Sequence, residues 1–412
     1  MTQRDFNKNL VKSEVEGLFS DNPDGLRKLI ENVCQQILQK EISEHLQANW
    51  HERTPGRKGQ RNGYKRRSIK TRVGKINLQY PQTRDSSFST KLFDRYQRSE
   101  KALCLALMES YIQGVSTRRT KKITQELCGT EFSATTISNL SKELDSELEK
   151  FRNRDLSGKE YRYLIVDARY EKVRINKTVV DQAVLVIAGV SEYGHREILA
   201  VDVCALETEA TWGEIFKNLK RRGLTGVEYI VSDAHEGIKN AIKTHFTGCN
   251  WQRCRVHFMR NIRKLVKAKD REGLKKALDF IWNSKSLDKA KKKAEMVVEF
   301  YEDKLPKVAD KIENEIEETL TVLTLPSNHR KRMKSSNLLE RLSGSISQRT
   351  NVVRIFPNRS SCLRLITAVL KEIHEDWISG RRYLRMLGEK QKKQTDEKGI
   401  EFTESVEKLV TA

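Results

Sequence analysis

The chain has 412 residues, with 78 Lys and Arg against 56 Asp and Glu, which gives a formal net charge of +22 at pH 7. Its longest apolar run, residues 183–190, is far shorter than the ~20 residues that span a bilayer. The opening segment MTQRDFNKN lacks the apolar stretch of a secretory signal. These features exclude a membrane-spanning protein. The charge excess favours a polyanionic partner, nucleic acid first and an anionic membrane surface second.

Composition indicates a folded protein of the reducing cytoplasm. Apolar residues make up 37% and charged residues 33% of the chain, which is polar for a globular protein. The 13 Phe, 11 Tyr and 5 Trp nevertheless argue against overall disorder. The 7 cysteines are odd in number and widely scattered, so they do not form a disulfide scaffold. The length fits two to four domains.

The N-terminal part is predicted to hold a helical region (1–50) and a basic arm with a short β segment (51–95). Apolar residues recur at helical spacing over 23–48, whereas 1–22 allows only a short helix. Residues 51–75 contain ten Lys or Arg and one acid, with several glycines, which predicts either a solvated loop or an arm that follows DNA phosphates. The residues that would contact DNA are Arg61, Lys65, Arg66, Arg67, Lys70 and Arg72.

Residues 96–152 are typical of a helix-turn-helix. A first helix over 100–113 ends at Gly114, Ser116 caps a second that runs to 128, and Ser133 caps a third. The third helix would enter the major groove with Thr135, Thr136 and Asn139. Small helical bundles that bind nothing share this pattern.

From residue 161 the pattern becomes α/β, in the order β-β-β-α-β-α-β. The predicted strands are 161–167, 178–190, 197–204, 227–233 and 250–257, with helices over 209–222 and 235–246. These fill a domain over 158–257. A Lys-rich helical insertion (258–330) follows, then a final part (331–390) with helices over 335–348 and 359–387, and a tail (391–412).

Three acids stand out by position. Asp167 and Asp233 each close an apolar strand, and Glu340 lies in the first turns of a late helix. Converging carboxylates at strand ends are costly unless a cation is bound. Oxygen ligands of this kind suit Mg²⁺, with Mn²⁺ as a substitute, and two such ions can promote phosphodiester chemistry. The alternative is ordinary: strand-end Asp residues often cap turns, and Glu340 would pair with Arg341 or Arg330 at the surface.

The sequence resembles the Mutator-type transposases of bacterial insertion sequences, which are DDE transposases with an RNase H-like core. The matching stretches cover most of residues 60–375 in the family's order: RNGYKRRSIKTRVGKINLQYP, YIQGVSTRR, YLIVDARYEKVR, RRGLTGVEYIVSDAHEGIKNAI, WQRCRVHFMRN and SSNLLERLSGSISQRTNVVRIFPN. The resemblance implies an α/β catalytic core, an RNase H-like mixed sheet with a helical insertion, preceded by mainly helical DNA-binding domains.

The same resemblance implies an activity. It is binding of terminal inverted repeats, followed by metal-dependent strand cleavage and strand transfer with Asp167, Asp233 and Glu340 as catalytic and metal-binding triad. Implied partners are double-stranded DNA, both transposon ends and target, and further copies of the chain in a homodimer or higher oligomer. No small-molecule substrate or membrane is expected, and the location would be the cytoplasm, at the bacterial nucleoid. Cut-and-paste and a copying route both remain open.

One departure from the family pattern follows Glu340. Ser343 and Gly344 stand where the family usually has larger polar residues, often Asn. A glycine inside a helix costs about 1 kcal/mol, so this helix would be loosened.

Cys254 and His257 form a Cys-x-x-His pair with three interpretations. With His245 and Cys249 they would complete a structural zinc site. Alternatively, they end the fifth strand beside the triad, where His257 contacts the scissile phosphate or orders Asp233. A plain packed pair is the third. Asn337, on the same helix face as Glu340, and Arg341 are further supporting candidates.

Basic residues also lie near the triad in sequence. Their default interpretation is a solvated helix face, and the functional one is contact with the DNA backbone. The candidates are Arg253, Arg255, Arg260, Arg330, Arg332 and Arg349. Trp251 would either stack on a base or belong to the core.

Two other functions use the same residues. A structure-selective nuclease of the same fold would keep the three carboxylates without end recognition. A transposase-derived DNA-binding regulator would keep the helix-turn-helix and lose a carboxylate, and the presence of all three argues against it.

Overall fold

The computed structural model describes residues 25–386 except 53, 95–96, 114, 129–131, 134–135, 137–138, 140–141 and 143. The sequence predictions for 1–22 and for the tail after 390 lie outside these residues. The chain divides into two compact units, Met1–Glu143 and Leu144–Ala412. No helix in the described part is long and apolar enough to cross a bilayer. Helices and strands are numbered below over the described residues.

The first unit builds its core from a helix and a hairpin. Helix α1 (Gly25–Leu46) confirms the predicted amphipathic helix, and β1 (Arg61–Thr71) pairs antiparallel with β2 (Gly74–Thr83). Side chains from all three meet in one cluster: Leu38, Ile69, Ile76 and Leu78, joined by Phe93. The apolar face of α1 therefore covers one face of the hairpin.

The basic arm is a strand over Arg61–Thr71, which corrects the interpretation of this part as a solvated loop. Pairing runs from Arg61↔Thr83 to Thr71↔Gly74, with an irregularity between Arg61 and Tyr64. Gly63 lies in that irregularity with φ of 73°, a left-handed conformation that glycine adopts without strain. Gly63 therefore allows the strand to continue through the irregularity.

Two helices of the predicted helix-turn-helix are present, α2 (Lys101–Ile112) and α3 (Thr117–Cys128). Ser116 Oγ accepts from the Arg119 amide at 3.2 Å, as its predicted capping role requires. Ser133 Oγ likewise accepts from the Thr136 amide at 3.0 Å. Most of the third helix, including Thr135, lies outside the described residues, while Thr136 and Asn139 are exposed.

The second unit is a mixed five-stranded sheet with the predicted element order. Its strands are β3 (Tyr161–Ile175), β4 (Thr178–Ser191), β5 (Arg196–Cys204), β6 (Tyr229–Ser232) and β7 (Asn250–Arg253). The spatial order is β5-β4-β3-β6-β7, with β3, β4 and β5 antiparallel and β6 and β7 parallel to β3. The central strand β3 therefore joins the antiparallel and parallel halves.

Helices cover both faces of the sheet. On one face, α5 (Glu209–Arg221) and α6 (Glu236–His245) bury Trp212, Phe216 and Ile238 against alternate residues of β3 and β4. On the other, Val184 and Val186 line a narrow cleft with residues of α12 (Asn337–Val353). The last helix, α13 (Arg359–Ser379), packs on β3 and β5.

Helix α4 (Asp145–Arg152) belongs to the second unit, although the sequence grouped it with the helix-turn-helix. Its Asp145 accepts from Arg364 Nε at 2.6 Å, and Glu147 accepts from Lys371 Nζ at 2.7 Å, both on α13. The insertion comprises α7 (Arg255–Arg263), α8 (Arg271–Trp282), α9 (Leu287–Glu302), α10 (Pro306–Glu315) and α11 (Ser327–Met333).

Two strand ends differ from prediction. Strand β3 continues to Ile175, because β4 pairs with it as far as Ile175↔Thr178. Arg174 and Lys172 also exchange backbone hydrogen bonds with Phe356 of the segment after α12. Asp167 thus lies within a long strand instead of closing one. Strand β7 ends at Arg253, and Cys254 is the residue preceding helix α7.

Helix α12 is continuous through Gly344, so the expected loosening does not interrupt it.

Gly344 allows a test of this helix by substitution, because a Cβ at this position would meet nothing within 4 Å. Gly344→Ala should therefore raise the free energy of unfolding by about 1 kcal/mol, the usual helix advantage of alanine. Urea unfolding would measure it. Gly194→Ala is the contrasting variant: its Cβ would lie 1.9 Å from the Leu384 carbonyl oxygen and its φ is 80°, so it should destabilise. A destabilised Gly344→Ala would contradict the open space seen at this position.

Candidate active site

The register of two parallel strands brings Asp167 and Asp233 together. Tyr163 pairs with Tyr229 and Ile165 with Val231. Asp167 follows Ile165 by two residues and Asp233 follows Val231 by two residues, so the two acids lie at the same level on adjacent segments of the chain. Asp233 Oδ1 accepts from the His235 amide at 3.1 Å, which turns the chain into α6.

The Asp167 carboxyl group has a raised pKa. Burial raises its pKa to about 7, and the charges of Asp233 and Glu340 push in the same direction, while His257 opposes them. Both other predicted acids thus lie close enough to Asp167 to raise its pKa. Such an arrangement is stabilised by a proton or a cation.

Glu340 lies in the first turn of α12, and its partners differ from those expected of a surface residue. Its Oε1 is 3.1 Å from Arg260 Nη2 and 3.8 Å from His257 Nε2, both on α7. Arg341 is exposed, and Arg330 donates instead to the carbonyls of Leu325 and Lys285. The ordinary alternative, in which Glu340 pairs with Arg341 or Arg330, does not describe this contact.

Metal binding can be judged by the donors present. Asp167, Asp233 and Glu340 supply hard carboxylate oxygens with surplus negative charge, which suits Mg²⁺ or Mn²⁺ chemically. Glu340 turns towards Arg260, and within the described ranges no three His, Cys, Asp or Glu side chains are close enough together to hold one ion.

The four potential zinc ligands go to different places. The His245 ring packs against Phe216, and the Cys249 thiol points to the Asn250 carbonyl. Cys254 is buried and accepts hydrogen bonds from Ser336. The His245-Cys249-Cys254-His257 set therefore does not assemble a site.

Cys254 and His257 lie beside the acids, as one interpretation required, although they belong to the start of α7 and not to a strand. The Cys254 thiol, with Asp167 and Asp233, raises the pKa of His257 to about 9 against the effect of burial. Burial alone would raise the pKa of Cys254, but His257 and Ser336 hold it below its ordinary value. Asn337 is exposed at the first position of α12.

Two arginines near the acids that were predicted to contact DNA are instead buried and bonded within the protein. Arg253 is buried and pairs with Glu315 at 2.5 Å and Glu318 at 3.1 Å. Arg255 is buried and donates to the Thr319 carbonyl at 3.0 Å. These two assignments are corrected, because a buried guanidinium with such partners is not available to a phosphate.

The other basic candidates near the acids keep surface access to different degrees. The Arg260 side chain is 58% exposed even though it contacts Glu340. Arg332 is exposed and stacks on Tyr383, with 5.1 Å from the guanidinium carbon to the ring centre. Arg349 is half-buried and donates to Gln348 at 3.2 Å. Trp251 is partly buried and packs against the core, and its Nε1 donates to Ser232 Oγ at 2.9 Å.

The basic residues of and next to strand β1 fall into the same two groups, those that stabilise the fold and those that are exposed. Arg67 stacks on Phe93 and donates to the carbonyls of Asp94 and Gln97, so it supports the fold. Arg61 donates to Ser43 Oγ, Arg72 pairs with Glu100, and Lys70 lies over the Phe132 ring. Lys65 and Arg66 are exposed.

Two residues at the site carry no clear sequence signal. Glu207 follows β5; its side chain is 6% exposed, and its Oε1 lies 3.2 Å from Trp212 Nε1 and 3.8 Å from His235 Nδ1. Burial and then Asp233 raise its pKa. Arg169, two residues beyond Asp167 on the same strand face, donates to the Ser343 carbonyl at 2.6 Å and so ties β3 to α12.

Asp167 should make stability depend on pH. Its pKa is about 7 when folded and near the ordinary 3.8 when unfolded, so the folded state holds more protons between pH 4 and 7. Without divalent metal, stability should fall as pH rises through this window. Asp167→Asn should flatten that dependence and raise the free energy of unfolding at pH 8 by about 1–2 kcal/mol. This is less than the ~4 kcal/mol that the same pKa shift would represent for a fully buried group. Thermal unfolding in EDTA measures both.

The matched control for that measurement is Asp181→Asn, an exposed acid on β4. It should leave the pH dependence unchanged. A pH profile of Asp167→Asn identical to that of the unaltered protein would show that Asp167 is ordinarily solvated.

Comparison with known proteins gives a consistent result. The family model described as "Transposase, Mutator family" matches residues 1–380. The transposase for insertion sequence element ISRM5 of Rhizobium meliloti is 45% identical over 376 residues, covering 91% of this chain and 94% of that protein. The transposase for IS256 in transposon Tn4001 of Staphylococcus aureus is 38% identical over 389 residues, covering 93% and 99%.

Among solved structures, the Drosophila P element transposase strand transfer complex aligns with 73% of this chain and 84% of its own, at 13% identity and a TM-score of 0.29. That similarity is too low to support an argument, whereas the sequence relatives are similar along nearly their whole length. On the strength of the family match and of these relatives, the chain belongs to the Mutator family of transposases.

Proposed function

We propose that the protein is an insertion-sequence transposase that binds the terminal inverted repeats of its element and catalyses divalent-metal-dependent DNA cleavage and strand transfer. Asp167, Asp233 and Glu340 form its catalytic triad. The observation that carries this proposal is the β3–β6 register, which sets Asp167 beside Asp233, together with the raised pKa that Asp167 acquires from burial and both other acids. Family membership supplies the reaction class.

The sheet is of the RNase H-like type in this proposal. Three antiparallel strands precede two parallel ones, and the central strand carries the first acid. Helix α12 lies on the face opposite α5 and α6, and it brings the third acid to the end of the sheet where Asp233 lies. The helical insertion α7–α11 separates Asp233 from α12 in sequence only.

Mg²⁺ or Mn²⁺ held by the three carboxylates would activate a water or a 3′-hydroxyl and stabilise the leaving oxygen. Around them, His257 carries a raised pKa of about 9 and is protonated at neutral pH, and the Arg260 side chain is exposed. Both would contact the scissile phosphate. Arg169 holds α12 at the level of Asp167 by its bond to Ser343.

The reaction is two successive phosphoryl transfers. Water attacks the phosphodiester at the end of the element, and the bond to the departing 3′-oxygen breaks as the new P–O bond forms. The freed 3′-hydroxyl then attacks a target phosphodiester, releasing another 3′-oxygen. Bond number is conserved in the second step, which needs no external energy source. Because two ends must be joined, at least two copies of the chain act together.

Binding of DNA by the first unit would use the exposed part of β1 and the helix-turn-helix. Lys65 and Arg66 are exposed on the hairpin, and Thr136 and Asn139 are exposed after Ser133. The charge on β1 contacts phosphates without reading sequence, and the helix-turn-helix reads bases.

Asp233→Asn should abolish cleavage while preserving binding. The change keeps the side-chain volume and the oxygen that accepts from the His235 amide, and it removes the charge. We expect cleavage of labelled duplexes carrying the element's ends to fall on the order of 1,000-fold or more in Mg²⁺. The affinity for the same duplex should stay within about twofold. Asp181→Asn, on the exposed part of β4, serves as control. Equal loss of binding and cleavage would make Asp233 a structural residue.

Lys65→Gln with Arg66→Gln should weaken binding and lower its salt dependence. Removing one charge that neutralises a phosphate reduces the slope of log K against log salt by about 0.9, so the double variant should lower it by up to about 2. Fluorescence anisotropy at several salt concentrations measures the slope. The control replaces Lys275 and Lys276, an exposed pair on α8, in the same way. A slope unchanged in the first variant, or lowered equally in both, would remove β1 from the interface.

A further inference from the structure

We propose that Cys254 is a positioning residue, whose thiol holds the helix bearing Glu340 against the strand that leads to Asp233. This inference rests on the proposed function, since it assigns Cys254 a role in assembling the same three acids. It distinguishes Cys254 from a zinc ligand, from a residue that touches DNA and from an ordinary packed cysteine.

The main chain of Cys254 is fixed to the strand of the second acid. Its amide donates to the Ser232 carbonyl at 2.7 Å, and Ser232 directly precedes Asp233. Strand β7 leads into Cys254 from one side, and helix α7 begins at Arg255 on the other. The position of the thiol is therefore set by the sheet.

The thiol accepts two hydrogen bonds from one residue of the Glu340 helix. The amide and the hydroxyl of Ser336 each lie 3.3 Å from Cys254 Sγ. Ser336 is the N-cap residue of α12, but its hydroxyl makes no capping bond to its own helix. The group that ordinarily stabilises a helix start is thus directed to the thiol.

From Ser336 the connection to Glu340 is one helical turn. The Ser336 carbonyl accepts from the amides of Leu339 at 2.7 Å and Glu340 at 3.1 Å. A second backbone bond, from the Arg255 amide to the Lys334 carbonyl at 3.2 Å, holds the segment just before Ser336. Lys334 and Ser336, which lead into this turn, are consequently both attached to the start of α7.

The spacing of the Cys-x-x-His pair matches the spacing on α12. His257 stands one turn beyond Cys254, and its Nε2 lies 3.8 Å from Glu340 Oε1. Cys254 contacts Ser336, and His257 contacts Glu340 four residues later. Two side chains at the start of α7 therefore contact two residues at the start of α12. A rotation of α12 that moved Glu340 away would break the bonds to the thiol.

Burial assigns Cys254 an indirect role. Cys254 and Ser336 are both 0% exposed, so neither can reach DNA or solvent. Any effect of Cys254 on the reaction must therefore pass through its neighbours: the placement of α12 through Ser336, and the charge of His257, whose pKa the thiol raises.

The test compares Cys254→Ala with Cys362→Ala. Cys362 is also 0% exposed and free, but it lies on α13. Both truncations leave a similar cavity, which thermal unfolding will measure. We expect Cys254→Ala to lower the cleavage rate on saturating, labelled end duplex by about 10–100-fold, with duplex affinity within about twofold. Cys362→Ala should keep the rate. Equal rates for the two at matched stability would overturn the proposal.

Rescue separates positioning from bulk packing. Cys254→Ser keeps an acceptor for both Ser336 groups and should restore the rate to within about fivefold of the unaltered protein, whereas a serine no better than alanine would count against the proposal.

Ser336→Ala removes one donor with little change of volume and should lower the rate less than Cys254→Ala does. This variant also tests the contact if Cys254→Ala does not fold. Combined with Cys254→Ala it should add almost nothing, because both act through one contact. Full additivity would mean independent roles.

A further readout does not depend on activity. Hydrogen exchange of the peptide spanning residues 336–342 should accelerate in Cys254→Ala and not in Cys362→Ala. Glu340→Gln is included to separate the two hypotheses. If Glu340→Gln cleaves normally, the proposed triad fails. If Glu340→Gln is inactive while Cys254→Ala cleaves and exchanges like Cys362→Ala, only the positioning role fails.

Discussion

The pairing of β3 with β6 is the constraint on which the rest of the structure depends. By aligning Ile165 with Val231, it sets Asp167 and Asp233 side by side at the end of a hydrophobic sheet. Placing like charges together in a poorly solvated region is unfavourable, and the raised pKa of Asp167 expresses that cost. The surrounding residues counter it with positive charge. His257 and Arg260 come from α7, and Glu340 is held between them and the strand acids.

The basic residues of this chain serve two purposes that charge alone does not distinguish. Arg253, Arg255 and Arg67 are fixed by carboxylates, carbonyls or aromatic rings and stabilise the fold. Arg260, Arg332, Lys65 and Arg66 retain surface access. In a DNA-cutting enzyme, only the second group contributes to binding of phosphates. The +22 net charge therefore overstates the number of charges available to DNA.

Sequence reasoning was most successful where the determinants are local. Hydrophobic periodicity located α1, the five strands and the order of the second unit, and capping serines marked α3. It failed where pairing between chain segments decides the outcome. Strand β3 is long because β4 pairs with it as far as Ile175 and Phe356 joins its far end, and β1 is a strand because β2 lies beside it. Glu207 gave no signal, because its proximity to Asp233 arises only when the loop after β5 meets the loop after β6.

By itself, the sequence determined the family and the element order and singled out three candidate acids, since these depend on residue type and on spacing along the chain. The tertiary structure decided which side chains surround them. It turned Arg253 and Arg255 inward, joined Cys254 to Ser336 and set Arg260 against Glu340. These pairings join residues far apart in sequence, across chain segments whose relative placement follows from burial of the whole core. No local pattern encodes such contacts, because the free energy that selects them comes from packing of the complete sheet and its helices.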